Sequence, residues 1–175
     1  MSFVKSFDGN EIDVGNCMGC HIVHNFNNPK VCPGQVVKTK HFTIAQDFEL
    51  PINGFIVISS IRHIGSINEM TKEEKQELLT LIDIVIDCLK RLKVCPQYNV
   101  VWEEKDNNHF HVWLVPRHKY LLDAIGSNFM KKLGELFNYA KTNLRTKENI
   151  KAINDTLKKL KEQLLANKEI QDVIL

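Results

Sequence analysis

Hydrophobic positions along the 175-residue chain follow two rhythms. A period of two, or a short β-branched run, marks QVVKT (35–39), HFTIAQD (41–47) and FIVIS (55–59) as three strands. YNVVWEE (98–104) and HFHVWLV (109–115) predict two more, with the polar KDNN as a hairpin connection. Between the third and fourth strands the rhythm becomes helical. Thr71-Lys72-Glu73-Glu74 is the T-x-x-E of a capping box, and Leu78, Leu81, Ile82, Val85, Leu89 and Leu92 form one stripe ending near Lys93. Beyond Pro116, Phe129, Leu133, Leu136 and Phe137 recur at helical spacing from Ser127 to about Thr142. Ile150, Ile153, Leu157, Leu160 and Leu164 mark a last helix, whose narrow seam fits packing on its own domain or the preceding helix, with a subunit contact as the alternative. The pattern predicts an α+β fold: an antiparallel sheet of about five strands with one long helix in residues 1–118, then a C-terminal helical extension in 119–175.

Composition narrows the class. Apolar content of 43% and charged content of 25% are those of a soluble globular chain, and a net charge of +2 argues neither for nor against nucleic acid. No apolar run is long enough to span a bilayer, and MSFVKSFDGNEIDVG lacks the apolar core of a signal peptide, so a cytoplasmic protein without a membrane partner is expected. Five cysteines, an odd count without a secretion signal, argue against a disulfide framework and for free thiols or a metal. Cys88 falls in the helical stripe and Cys95 precedes Pro96, both as buried thiols; Cys32, before Pro33-Gly34, reads as a turn thiol.

Cys17-Met18-Gly19-Cys20 differs from these. Its spacing lets two thiolates reach one tetrahedral ion, and a redox pair has the same spacing. A redox motif is expected at a strand-to-helix junction, which the pattern does not predict here. Two further ligands would come from seven histidines. His21 adjoins Cys20 too closely, and His24 is a fair local candidate in a polar loop. His63 follows the buried third strand and His109 opens the fifth, at element ends where ligands from separate segments meet; spacing alone does not choose among them. His109 and His111 stand two apart, so a strand would send both imidazoles from one face about 7 Å apart. Burying both is costly unless each has a partner or a task.

Together, PINGFIVISSIRHIGSINEMTKEE (51–74), the long helix and HFHVWLVPRH (109–118) resemble the histidine triad superfamily of nucleotide hydrolases and transferases. The likeness runs from Cys17 to about His118. It implies a histidine-triad-like fold and, as in some branches and in galactose-1-phosphate uridylyltransferase, a zinc site, here at Cys17, Cys20, His63 and His109. Four protein ligands would make that zinc structural. The resemblance makes His111 the nucleophile that attacks a nucleotide α-phosphate to give a nucleotidyl-histidine. It aligns Asp47 with a ribose-binding carboxylate and Asn99 with a nucleotide-pocket asparagine. It implies nucleotides, dinucleoside polyphosphates or nucleoside phosphoramidates as partners, and a homodimer formed through the core domain.

The departures are specific. Trp113 stands where the third triad histidine would be and can only donate through its indole nitrogen; the uridylyltransferase branch also departs there, with glutamine. The family's phosphate-gripping loop is absent, leaving Lys105, Asn107 or Asn108 to substitute beside Glu103, Glu104 and Asp106, whose charges would repel phosphate. The resulting reading is a hydrolase or transferase acting through His111. Its alternative is a non-catalytic, zinc-stabilised nucleotide-binding module, or an interaction module whose C-terminal helices recruit a partner.

Overall fold

The β-branched runs pair into one antiparallel sheet of five strands in a computed structural model that describes residues 2–104 and 109–174. The strands are β3 (Gln35–Lys38), β4 (Phe42–Gln46), β5 (Ile56–Ser60), β6 (Tyr98–Val101) and β7 (His111–Pro116), in the order β3-β4-β5-β7-β6. A separate hairpin, β1 (Phe3–Lys5) and β2 (Glu11–Asp13), precedes it and was not expected from the sequence.

Alternation sorts the sheet into two faces. Ile44, Ile56, Ile58, Val112 and Leu114 lie in one buried core with Leu78, Leu81, Val85 and Leu89 of α2 (Lys72–Arg91). Ile153, Leu157, Leu160 and Leu164 of α5 (Lys147–Ala166) complete that core, so the seam at the chain's end packs on α2 and β3. The opposite face carries Val57, Ser59, His111, Trp113 and Val115, and half of it is covered by α3 (Lys119–Ile125), a short 3-10 turn (Phe129–Lys132) and α4 (Leu133–Asn143) through Leu121, Phe129, Leu136 and Ala140. The other half meets α1 (Met18–His24).

The expected capping box is present at α2: Thr71 Oγ1 accepts from Glu74 N, and Glu74 Oε2 accepts from Thr71 N. Glu74 also takes both prongs of Arg62, at 2.8 and 2.7 Å, which locks the turn after β5 onto the helix start. That guanidinium holds the Glu74 carboxyl down at about 2. No helix among the described residues is long and apolar enough to cross a membrane.

One strand boundary differs from the sequence expectation. β7 begins at His111 and not at His109, because the backbone at Phe110 leaves the regular ladder: Phe110 N donates to Ile64 O and Phe110 O accepts from Ser60 N. His109 therefore sits ahead of the strand, over the end of β5.

Candidate functional site

The C-x-x-C motif is folded around the start of α1. Cys17 is its N-cap, and Cys17 Sγ accepts from Cys20 N at 3.4 Å, which turns both sulfurs to one side. The motif thus does lie at a helix start, following β2 after a short turn, a junction that the residue pattern does not predict. Gly19 makes this placement feasible, because α1 presses its backbone against the His109 ring; a Cβ at Gly19 would lie 2.3 Å from His109 Cγ.

Two histidines from distant segments converge on the sulfurs. His63, at the turn that Arg62 anchors, places Nδ1 at 3.5 Å from Cys17 Sγ and 3.0 Å from Cys20 Sγ. His109 Nδ1 lies 3.5 Å from each sulfur. A tetrahedral ion with Zn–S of about 2.3 Å and Zn–N of about 2.0 Å separates sulfur from nitrogen by about 3.5 Å. All four donor atoms lie within 4.8 Å of one another, so the cluster is compatible with a zinc site. His109 Nε2 donates to Ser60 O at 2.6 Å, which fixes the tautomer and leaves Nδ1 as the lone-pair donor. Burial holds this imidazole below its ordinary pKa, again favouring a neutral ligand.

The donor set distinguishes metal from redox: a redox C-x-x-C works as a thiol pair, whereas here two imidazole nitrogens from distant segments converge on both sulfurs at metal-ligand spacing. Burial, reinforced by the adjoining Cys17, pushes the Cys20 thiol up. Of the other histidines weighed from sequence, His24 is exposed and stands outside the cluster, and His21 Nε2 is tied to Val31 O. His41 pairs with Glu77 and His118 with Asn53 O.

Beside the cluster lies a cavity of about 340 Å³, lined by residues of α1, β4, β5, β7 and α4. His111 is in its wall. His111 Nδ1 donates to His109 O at 2.8 Å, which commits that nitrogen and leaves Nε2 with its lone pair free. Trp113 stands next along the same face, its ring 5.3 Å from that of His111, packed edge-on against Phe55 and Phe137.

Asp47 also lines the cavity. Its Oδ1 accepts from Glu49 N and Leu50 N, capping the turn after β4, and Oδ2 takes no part in that turn. Burial raises the Asp47 carboxyl to about 6, although those two N–H donors and Lys141 oppose the shift. Asn99 is not brought to the cavity. It pairs with Val115, four residues along β7 from His111 and so about 13 Å away. Asn107 lies outside the described residues. Glu104, read from sequence as repelling phosphate, does not line the cavity either; it accepts from Ser66 Oγ and Ile67 N and fastens the loop after His63. Arg117 is turned to Ser127 O and the Phe129 ring, away from the cavity.

Sequence reasoning missed the contribution of α4, whose Phe137 and Lys141 line the cavity, with Lys141 ion-paired to Glu49 across it. Their four-residue separation puts both on one helix face, but nothing local says that this face meets His111.

No protein-family model matches the sequence, and no curated protein matches it. Solved structures do. A zinc-bound histidine triad family protein from Mycobacterium smegmatis is 14% identical, with a TM-score of 0.54 over 84% of this chain and 96% of that one. A Hit-like protein involved in cell-cycle regulation from Bartonella henselae is 11% identical, with a TM-score of 0.57 over 88% and 99%. The diadenosine triphosphate hydrolase of Plasmodium falciparum is 12% identical, with a TM-score of 0.52 over 77% and 78%. The likeness is one of fold: the chain has the α+β architecture of histidine triad proteins.

Proposed function

We propose that this protein is a nucleotidyl hydrolase or transferase that attacks a nucleotide α-phosphate through His111. The observation that carries the reading is the His111 Nδ1–H donated to His109 O, on a residue that lines the cavity, with Nε2 uncommitted. A neutral imidazole held in this way is a competent nucleophile. The Nε2 lone pair forms a P–N bond as the bond from phosphorus to the leaving oxygen breaks, and that oxygen departs with the electron pair. Nδ1–H stays on its carbonyl, which stabilises the charge gained by the ring. Water then breaks the P–N bond, releases a proton to solvent and restores the neutral ring; a phosphorylated acceptor in its place makes the enzyme a transferase.

Trp113 cannot pass a proton to a leaving group. That favours leaving groups that depart as stable anions, so polyphosphates and dinucleoside polyphosphates suit the site better than phosphoramidates. Asp47 Oδ2 is the acceptor offered to ribose hydroxyls. Cys17, Cys20, His63 and His109 would hold a zinc ion that supplies a closed structural cross-link between the N-terminal segment and the sheet. We propose further that the chain forms a homodimer along β6, an edge strand of the sheet on which Val100 is exposed and after which exposed Trp102 follows.

The test is incubation with adenine and uridine nucleoside polyphosphates labelled at the α-phosphate. Wild type forms a covalent nucleotidyl adduct and His111→Ala does not. Trp113→His adds a proton donor beside the leaving group and raises turnover by about 10²-fold or more. The second reading, a nucleotide-binding module, is favoured by Trp113 and wins if both proteins bind nucleotide without forming an adduct. Equal turnover in His111→Ala and wild type removes His111 from the mechanism.

A further inference from the structure

If a nucleotide is the ligand, as just proposed, its phosphate needs a cation, and the cavity wall is poorly supplied with them. Asp47 and Glu49 are acidic and His111 works as a neutral imidazole. Among the described lining residues, Lys141 is the one permanent cation. It comes from α4, within the C-terminal extension.

We propose that Lys141 is the phosphate-binding side chain of this site, exchanging its Glu49 partner for the phosphate of a bound nucleotide. Three observations support this. First, the Lys141–Glu49 pair is solvent-accessible, with 43% of the lysine side chain exposed, and ion pairs of that kind are weak and easily exchanged. A phosphate group carries more charge and more acceptor oxygens than one carboxylate. Second, the backbone that delivers Lys141 is pinned to the cavity rim. Arg145 Nη2 donates to Glu49 O at 3.0 Å, and Asn149 Nδ2 donates to Pro51 O at 2.6 Å and to Leu144 O at 2.7 Å. The ammonium can swing while its Cα is held. Third, Phe137, one turn earlier on the same face, packs on Trp113 at 5.8 Å between centroids. The four-residue step from Phe137 to Lys141 advances about 6 Å along the helix, from the neighbour of His111 toward Glu49. The extension therefore supplies the cationic wall of a site whose other walls belong to the sheet, the turn at 47–50 and α1.

The experiment is calorimetric titration of the full chain with the four common ribonucleoside monophosphates and the four matching nucleosides, for wild type, Lys141→Gln, Lys141→Arg and Glu49→Gln. In Lys141→Gln the monophosphates bind about 10-fold more weakly while nucleoside affinity holds within about twofold, as expected for loss of a charge-assisted hydrogen bond. Lys141→Arg restores most of the loss, and Glu49→Gln, which removes the competing carboxylate, tightens monophosphate binding. Unchanged circular dichroism and metal content exclude misfolding as the cause. Monophosphates and nucleosides weakened equally, or neither weakened, would overturn the role of Lys141 while leaving His111 chemistry standing. Failure of every nucleotide to bind wild type would instead overturn the nucleotide reading itself, and this proposal with it.

Discussion

Replacing Gly19 by alanine separates two opposed effects at the metal cluster. Gly19 lies inside α1, and by helix propensity alone alanine should stabilise that helix by about 1 kcal/mol. The added methyl, however, would stand 2.3 Å from Cγ of His109 and 2.7 Å from its Cβ and Cδ2. Carbon atoms pack at about 3.5–4.0 Å, so α1 and the ring must separate by about 1.2–1.7 Å. The ring has no room to yield: His109 is 4% exposed, and its Nε2 is fixed on Ser60 O. Overpacking of this kind costs about 1–3 kcal/mol, and metal sites tolerate donor displacements of only about 0.2 Å. The overpacking outweighs the propensity gain once loss of the metal is added, giving a net destabilisation of about 1–2 kcal/mol or more. For a chain of this length that lowers Tm by about 2–8 °C. Scanning calorimetry and the zinc content of protein purified without chelator measure both consequences, with Cys17→Ser as the reference for a lost ligand. About one zinc per chain is expected in wild type and much less in either variant. A Gly19→Ala protein that keeps its zinc and melts at or above the wild-type temperature would refute the contact argument.

Two further outcomes follow from the same structure. The Asp47 carboxyl is raised to about 6 from an ordinary value near 3.8, so the folded state favours the neutral acid. The stability this contributes is fully present below the ordinary carboxylate value and is lost as pH rises through about 6. Asp47→Asn keeps the Oδ1 acceptor of the turn and should flatten the pH dependence of the denaturation midpoint between about 4 and 6; an unchanged profile would count against burial as the cause. For assembly, light scattering should find a dimer that Trp102→Glu dissociates, and a wild-type monomer would reject pairing along β6.

Much of the fold was legible because its elements announce themselves locally. β-branched runs mark the sheet, and the Thr71–Glu74 capping box marks α2. The elements that escaped notice are those with too few buried residues to make a pattern. α1 buries only Ile22 and Val23 across seven residues, and α3 buries only Leu121. Neither length supports a helix by propensity alone, so tertiary contact decides them. The site divided in the same way. C-x-x-C spacing nominated the sulfurs, but no spacing rule could select His63 and His109 from seven histidines. The selection comes from the pairing of β5 with β7, which brings Ser60 and Phe110 together and sets one histidine beyond each. Asp47 showed the opposite limit: Oδ1 caps the turn after β4, and that turn leaves Oδ2 for the ribose contact proposed above. Lys141 was invisible because its role depends on where the extension docks.

The placement of the cluster gives it a consequence beyond stability. Residues 16–19 and Ile22 form one wall of the cavity, yet α1 and its surroundings rest on a small core of Ile12, Val14, Ile22, Cys32 and Phe48, separate from the main one. A helix of seven residues with so little apolar anchorage is marginal by itself. Cross-linking Cys17 and Cys20 to His63 and His109 would tie that wall to one end of the β5–β7 pair, through both strands at once. The same histidine that would bind metal through Nδ1 lends its backbone carbonyl to His111 Nδ1. Metal cluster, cavity wall and the proposed nucleophile His111 are therefore joined through one residue. A shift of His109 disturbs the tautomer of His111 and the shape of the cavity together, although the cluster and His111 use different side chains. On the proposed mechanism His109 would thus position His111 as well as being a candidate ligand, and His63, whose ring meets both sulfurs and the His109 ring, would act on His111 through His109.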